Sequence, residues 1–319
     1  TNYMIKKQDL DSMLNRNDVI QNFPWIAEKE RLFITSADYD GLICAVYLHH
    51  VLNWQLAGFY DLSTIWISDA GIHDRKDLIW VDLNILPKQG KAIGGHIISI
   101  DGEHPSGFET SCNPNIMLKL TSDNFQNKYP FSTLLFLFWL HGYSPKLNDL
   151  SKMLILQSDA SWLKFQTYPE NSKKWMNILS DYPWDQLFHQ LNTKRFEGNV
   201  HNKLYPRLIE TGAMMNRGKI PGKFNNRSSY QIQVNPDWDT DVIYRLFTLI
   251  GNATGWTPPK IPRFEKVIEG KRHKIALASV VRRGLNAFLK ENKVFSYAIT
   301  SPKILNFTSF GSSKTPVTK

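Results

Sequence analysis

Four aspartates follow hydrophobic segments of this 319-residue chain, each close to the point where its segment ends. They are Asp38 and Asp40 in LFITSADYDG, Asp82 in IWVDLN, and Asp101 in IISIDGEH. Carboxylates that meet in one place repel each other and raise the pKa of some members, and a divalent cation removes this cost. Carboxylate oxygens are ligands that suit Mn²⁺ and Mg²⁺. The four residues therefore predict a metal site, provided that the fold brings them together.

The elements that must position these acids alternate between strand and helix over the first 165 residues. Short runs rich in β-branched residues predict strands at 31–36, 63–68, 77–83 and 96–101. Longer apolar segments predict helices at 41–58, 131–142 and 147–159. This alternation predicts an α/β fold, with a mostly parallel sheet and helices on both of its faces.

Ligands of parallel sheets bind beyond the carboxyl ends of the strands. The four aspartates should therefore lie along one edge of the sheet. Glu103 and His104 come just behind Asp101, and Asp159 ends the predicted helix 147–159, where it is a further candidate ligand.

The rest of the chain predicts two further parts after a first domain at 1–165. Residues 166–225 are polar, aromatic and partly helical, and we interpret them as a helical connector. The segment 214–229 carries Gly, Pro, Asn and Ser and predicts a loop or domain boundary. Residues 226–319 predict a smaller α/β domain with a mobile tail. Its predicted elements are strands at 229–234 and 294–299 and helices at 239–255 and 273–292.

Composition limits the classes of protein to which the chain can belong. Hydrophobic residues make up 42% and charged residues 21%, which is ordinary for a globular protein with a core. Two cysteines provide no disulfide framework and indicate a reducing compartment. The longest apolar run, at 131–140, is too short to cross a bilayer, and TNYMIKKQDL lacks the apolar segment of a secretory signal. We therefore expect a cytoplasmic protein that does not bind a membrane.

The net charge of +9 comes from the C-terminal part of the chain. Residues 260–319 hold 13 Lys or Arg against three Asp or Glu, whereas residues 1–259 hold 25 against 26. Such asymmetry indicates an anionic partner, most often nucleic acid, although a solvated basic face without a partner is the alternative. The candidate nucleic-acid-binding residues lie in or beside the predicted basic helix 273–292: Lys271, Arg272, Lys274, Arg282 and Arg283.

Each aspartate also has an ordinary structural interpretation. Asp38 or Asp40 could cap the helix that follows, although capping needs only one of them. Asp82 and Asp101 could be turn residues. The acids favour a metal site only as a set, because they recur at three successive strand ends.

Four motifs occur in order between residues 30 and 165. Asp38-Tyr39-Asp40-Gly41 opens a helix with small residues, and Asp82 closes a hydrophobic strand. SIDGEHPSGFETSCNPN follows a third strand, and Asp159 lies in ILQSDASW. The ordered set resembles the DHH phosphoesterase superfamily, which includes RecJ-like exonucleases, oligoribonucleases, cyclic dinucleotide phosphodiesterases and pyrophosphatases.

The resemblance implies a set of roles for these residues. Asp38 and Asp40 would bind two Mn²⁺ or Mg²⁺ ions, Asp82 would bridge them, and Asp159 would complete one coordination sphere. His104 would orient or protonate the scissile phosphate, and Asp101 would orient that imidazole. The reaction would be metal-assisted hydrolysis of a phosphodiester in single-stranded or short nucleic acid, or in a nucleotide-type molecule.

The third motif departs from the Asp-His-His signature of the superfamily, because this chain has Asp-Gly-Glu-His. Either Glu103 and His104 take the places of the two imidazoles as metal ligands, or the first ligand is lost at Gly102. Two hypotheses follow. The chain is a metal-dependent phosphoesterase or nuclease, or it is a catalytically weakened relative that binds nucleic acid or a protein.

Overall fold

The computed structural model describes residues 13–100 and 102–311 of the chain. The strands in chain order are β1 (Leu32–Ser36), β2 (Gln55–Tyr60), β3 (Thr64–Ile67), β4 (Ile79–Val81), β5 (Lys91–Ile93), β6 (Ser111–Cys112), β7 (Met214–Pro221), β8 (Ser228–Gln233), β9 (Lys266–Glu269), β10 (Lys271–Ala276), β11 (Val294–Ser301) and β12 (Ile304–Ser309). The α-helices in chain order are α1 (Arg16–Asn22), α2 (Tyr39–Leu52), α3 (Asp69–His73), α4 (Pro114–Met117), α5 (Thr133–His141), α6 (Asp149–Gln157), α7 (Ser161–Thr167), α8 (Pro169–Ile178), α9 (Trp184–Phe188), α10 (Lys194–Asn199), α11 (Tyr205–Glu210), α12 (Thr240–Thr254), α13 (Leu277–Arg283) and α14 (Leu285–Glu291).

The largest sheet has the strand order β6-β5-β4-β1-β2-β3-β9. The strands from β6 to β2 are parallel, and β3 and β9 are antiparallel to their neighbours. This sheet confirms the predicted α/β class. In the register of β1 and β4, Thr35 lies opposite Val81, so the carboxyl ends of these two strands meet. The residues that follow them are therefore brought to the same edge of the sheet.

Side chains on both faces of the sheet are buried. Phe33, Ile79 and Val81 point into the larger core, which the long apolar helices α2 and α5 also fill. Ile34 and Trp80 point into a smaller core on the opposite face, where Phe295 of β11 also packs. Alternate residues of one strand thus contribute to two cores, which explains why β1 and β4 read as continuous hydrophobic runs.

The C-terminal part is a three-stranded antiparallel sheet, β10-β12-β11, with α13 and α14. It agrees with the predicted smaller α/β unit. The division at 1–165, 166–225 and 226–319 stays a prediction, and β9 extends the large sheet by pairing with β3. Isolated bridges between Ile85 and Ser296 and between Ile97 and Ile299 also join the two parts.

Most predicted elements occur in the structure, and their first and last residues agree with the prediction within two or three positions. These are the strands β1, β3, β4, β8 and β11 and the helices α5, α6 and α12. In the ranges that the structure describes, no helix combines the length and the apolar character needed to cross a bilayer.

The predicted helix 41–58 is wrong in its C-terminal third. The helix α2 ends at Leu52, and Asn53 adopts a left-handed conformation that turns the chain into β2. Gly58 lies within β2, where a Cβ atom would come 1.9 Å from the carbonyl oxygen of Trp66. This glycine allows two strands to approach closely and does not close a helix.

The predicted strand 96–101 is also wrong. The strand that pairs with β4 is β5, at Lys91–Ile93, and the chain leaves the sheet at Gly94 and Gly95. Residues 97 and 100 form only isolated bridges.

Two predictions for the C-terminal half are corrected in the same way. The segment 214–229 is predicted to be a loop or domain boundary, but β7 and the start of β8 form a hairpin there. The predicted helix 273–292 begins as strand β10 and then forms two short helices, because Gly284 at φ +88° interrupts them. Residues 271–276 pair with β12, and this pairing overrides the helical periodicity.

Candidate metal centre

Asp38, Asp40 and Asp82 meet at the carboxyl edge of the sheet. Asp38 caps α2 and accepts a hydrogen bond of 2.9 Å from the backbone N–H of Gly41, and Asp40 lies in the first turn of the same helix. Asp82 follows β4. One carboxylate oxygen of each residue lies within 4.8 Å of the others. The structure thus brings together three of the predicted ligands, in a cluster that we call the acidic triad.

The start of α2 can approach β1 because residue 41 is glycine. A Cβ atom at this position would lie 2.2 Å from the carbonyl oxygen of Ser36 and 2.6 Å from Oγ1 of Thr35. Real Cβ atoms do not approach other atoms so closely. The Asp-x-Asp-Gly sequence therefore places two acids at a helix start that lies directly against the strand end.

Two hydroxyl groups orient the acids. The hydroxyl of Ser36 lies 2.7 Å from Oδ1 of Asp38 and 2.9 Å from Oδ2 of Asp82, and the hydroxyl of Thr133 donates to Oδ1 of Asp82 at 2.6 Å. Ser36 has one proton to donate, so it either shares this proton between the two carboxyl groups or donates it to one and accepts from a protonated other.

The three residues of the acidic triad are half-buried, and each keeps part of its surface accessible to solvent. Desolvation raises the pKa of Asp38 and Asp40 above the usual range and that of Asp82 to about 8, and neighbouring aspartates add to each shift. Water at the accessible surface offsets part of the desolvation. Across residues 13–100 and 102–311, no lysine, arginine or histidine forms an ion pair with the triad.

Asp159 lies beside the triad and contributes its backbone rather than its carboxylate. Its N–H donates to Oδ1 of Asp40, while its Oδ2 lies 2.6 Å from Nζ of Lys164. Asp159 and Ala160 both have a φ of +48°, a backbone conformation that residues other than glycine rarely adopt. Such strain is often found at functional sites. The predicted coordination by the Asp159 carboxylate would require this ion pair to open.

The structure does not bring Glu103 or His104 to the triad. The carboxylate of Glu103 accepts hydrogen bonds from the backbone N–H groups of Leu285 and Asn286, so it caps α14. These bonds lower the pKa of Glu103. Nδ1 of His104 lies 2.7 Å from the hydroxyl of Ser99. Among the described residues, neither side chain belongs to the group of possible metal ligands that lie within 4.8 Å of one another. The reason is that 96–101 is not a strand of the sheet. Asp101 lies outside the described residues.

His96 is a candidate that the sequence analysis did not identify. It follows β5 and the pair Gly94-Gly95, so it lies one strand away from Asp82 at the same edge of the sheet. Its side chain is exposed, but the surrounding protein and the charge of Lys128 lower the pKa of the imidazole. Placing β5 correctly at 91–93 would have revealed it.

The predicted nucleic-acid-binding residues do not lie on one helix. Lys271, Arg272 and Lys274 are exposed on β10, and Arg282 and Arg283 are exposed at the end of α13. Arg283 forms an ion pair with Glu291, which neutralises part of the basic surface.

The donors of the acidic triad fit a hard divalent cation. They are all carboxylate oxygens, they are close together, and they retain surface that a small ion and its waters can reach. Mg²⁺ and Mn²⁺ are commonly bound by a few carboxylates together with water and phosphate oxygens. Comparison of the chain with known protein families, with characterised proteins and with solved structures returned no match.

Proposed function

We propose that the protein is a metal-dependent phosphodiester hydrolase, a nuclease or oligonucleotide phosphodiesterase that uses Mn²⁺ or Mg²⁺, with two ions at the site. One observation carries this proposal: three accessible carboxyl groups lie together at a strand edge, and no cation of the described residues is paired to them. Without a cation, carboxyl groups this close must stay partly protonated, whereas a divalent ion would balance their charges in the ionised state.

Cations at this site would polarise the oxygens of a phosphodiester and make an attacking water more acidic. The chain's own residues fix the ligands. Ser36 and Thr133 hold Asp82, the N–H of Gly41 holds Asp38, and the N–H of Asp159 holds Asp40. In hydrolysis, the water oxygen bonds to phosphorus, the ester P–O bond breaks, and the leaving oxygen gains a proton.

Kinship with the DHH phosphoesterases is part of the proposal, and it is supported by Asp38, Asp40, Asp82 and Asp159, which lie together or side by side. Catalysis by His104 and Asp101 stays a prediction. The net positive charge after residue 260 favours nucleic acid as the substrate or partner.

A catalytically weakened binding module is the second candidate. It is favoured by the placement of Glu103 at the start of α14, because this acid then supports the C-terminal unit rather than a metal ion. In this alternative the triad would hold an ion for structure, and the basic surface would bind nucleic acid or a protein.

Hydrolysis assays with Asp82→Asn separate the two candidates. We expect Mn²⁺-dependent release of nucleotides from labelled single-stranded DNA or RNA, with a rate reduced more than about 100-fold by this variant because a metal ligand is lost. Asp241→Asn, at an exposed position in the first turn of α12, is the matched control and should keep the activity. Binding without turnover in the wild type would favour the binding module.

A further inference from the structure

Three buried serines join the start of α5 to the turn between α6 and α7. They are Ser132, Ser158 and Ser161, and each is 2% exposed or less. The hydroxyl of Ser158 lies 2.8 Å from the hydroxyl of Ser132. The hydroxyl of Ser161 donates to the carbonyl of Ser158 at 2.8 Å and accepts from the backbone N–H of Ser132 at 3.1 Å. These hydrogen bonds close a ring of three residues, which we call the serine ring.

Each hydroxyl of the serine ring has both a donor and an acceptor among its neighbours. The hydroxyl of Ser132 accepts from the backbone N–H of Leu135 at 3.2 Å, so its proton is available for Ser158. The hydroxyl of Ser158 donates to the carbonyl of Ile155 at 2.6 Å. Ser161 is paired within the ring itself. A buried polar network whose members are all paired holds its backbone segments rigidly.

Two members of the ring are directly followed in sequence by residues that contact the acidic triad. The hydroxyl of Thr133, next to Ser132, donates to Oδ1 of Asp82 at 2.6 Å. The backbone N–H of Asp159, which follows Ser158, donates to Oδ1 of Asp40. Asp40 lies on α2 and Asp82 follows β4. The ring therefore fixes the spacing between two groups that orient acids from different elements.

The serine ring also closes the strained turn beside the triad. Asp159 and Ala160 both have a φ of +48°, and the hydrogen bond between Ser161 and the carbonyl of Ser158 spans these two residues. A strained backbone persists only where the surrounding structure holds it. Without this hydrogen bond the turn would be free to relax, and the N–H of Asp159 would lose its fixed position against Asp40.

We propose that the serine ring is a positioning device that sets the affinity of the acidic triad for a divalent cation. The ring acts through Thr133 and the N–H of Asp159, which hold Asp82 and Asp40 at the spacing that the cation requires. This inference rests on the metal centre of the proposed function and adds three residues to it. Groups that orient metal ligands commonly change metal affinity by about 10- to 100-fold when they are removed.

Calorimetric titration of the metal-free protein with Mn²⁺ tests the proposal. Ser158→Ala removes the contacts with Ser132 and Ile155, and Ser161→Ala removes the hydrogen bond that closes the turn. The Kd for Mn²⁺ should rise about 10-fold in each variant, at the lower end of the range because the ring acts through an intervening residue. Near-UV circular dichroism checks the fold before titration. The two variants break different bonds, so either one that folds gives the answer.

Ser151→Ala is the matched control, because Ser151 is a buried serine at the opposite end of α6. Its hydroxyl accepts from the backbone N–H of Asn148 at 2.8 Å as part of the helix cap. Loss of this cap should lower the midpoint of urea unfolding but change the Kd for Mn²⁺ less than about 2-fold. Ring variants that lose stability but bind Mn²⁺ as tightly as Ser151→Ala does would overturn the inference.

Hydrolysis of a labelled single-stranded oligonucleotide by the same variants separates a positioning role from a general loss of structure. The ring variants should need about 10-fold more Mn²⁺ for half-maximal activity. At saturating Mn²⁺, KM for the oligonucleotide should equal the wild-type value, because the ring does not contact the substrate.

The outcomes also separate this inference from the proposed function. If the wild type binds Mn²⁺ with a Kd that depends on the ring but hydrolyses no phosphodiester, the ring stands and the hydrolase proposal fails. If hydrolysis occurs and both ring variants bind Mn²⁺ as the wild type does, the ring is refuted and the hydrolase proposal stands. A wild type that binds no Mn²⁺ would overturn both.

Discussion

The hydroxyl group of Ser36 touches two carboxyl groups but has one proton to give. Without a cation, a proton on Asp82 would give both contacts a hydrogen bond of their own, and the raised pKa of Asp82, about 8, agrees with this arrangement. A divalent ion would displace that proton. If the triad binds a metal ion as proposed, the ion would replace a proton, and the affinity for the metal would depend on pH.

The raised pKa of Asp82 predicts how the stability of the metal-free protein depends on pH. The folded state keeps a proton that the unfolded state releases near pH 4, so stability falls as pH rises from about 4 to about 8. The slope for one such group is at most about 1.4 kcal/mol per pH unit. Urea unfolding in the presence of EDTA at several pH values measures it.

Asp82→Asn is the control for this pH dependence. The asparagine cannot ionise, so the stability of the metal-free protein should fall less steeply between pH about 5 and about 8. At the upper end of this pH range, the variant should be more stable than the wild type. Saturating Mn²⁺ should stabilise the wild type most at high pH, where the ligands are deprotonated. An identical slope in the wild type and the variant would show that Asp82 ionises normally.

At the scale of elements, the site depends on how closely α2 approaches the end of β1. Gly41→Ala introduces a Cβ atom 2.2 Å from the carbonyl oxygen of Ser36, so the start of the helix must move. We expect a loss of about 1–3 kcal/mol in the free energy of unfolding, as for overpacked cores, together with weaker Mn²⁺ binding. Urea unfolding and calorimetry with Mn²⁺ measure the two effects.

Gly198→Ala is the matched control for this substitution. Gly198 lies in α10, and a Cβ atom there would meet no atom within 4 Å, so alanine should stabilise the helix by up to about 1 kcal/mol. If Gly41→Ala behaved like Gly198→Ala and kept its affinity for Mn²⁺, the close approach would have no part in building the site.

The elements also explain which site residues could be predicted from the sequence. Asp38, Asp40 and Asp82 follow strands that were identified correctly, and neighbouring parallel strands must bring them to one edge. Glu103 and His104 follow a segment that resembles a strand but leaves the sheet. The true strand, β5, ends at Ile93, and His96 follows it three residues later.

Ser36 could not be found from sequence patterns at all. Ser36 is one of many serines, and only its distances to two carboxyl groups distinguish it. Contacts of this kind depend on tertiary packing, which local periodicity does not encode.

At the scale of the whole molecule, the charge is separated between an acidic site and a basic C-terminal part. The exposed residues Lys271, Arg272 and Lys274 lie on β10, whereas Arg283 is paired with Glu291. Nucleic-acid binding through β10 should therefore depend on salt concentration. The substitution of all three β10 residues by Gln should reduce affinity for single-stranded DNA and lower the slope of log affinity against log salt by about 2.

A second triple variant controls for net charge. Lys29, Lys76 and Lys88 are exposed in the N-terminal part, and their replacement by Gln should leave most of the salt dependence in place. Fluorescence anisotropy with a labelled oligonucleotide measures both variants. If the two triple variants lost equal affinity, the binding would follow net charge and β10 would have no specific role.

A manganese-soaked crystal tests the central claim most directly, because the anomalous signal of Mn²⁺ locates the ions. The account predicts anomalous density within coordination distance of Asp38, Asp40 and Asp82 in the wild type, and its loss or marked weakening in Asp82→Asn. Manganese bound only elsewhere, with Asp38 and Asp82 still in contact through Ser36, would contradict the metal centre and the hydrolysis proposed for it.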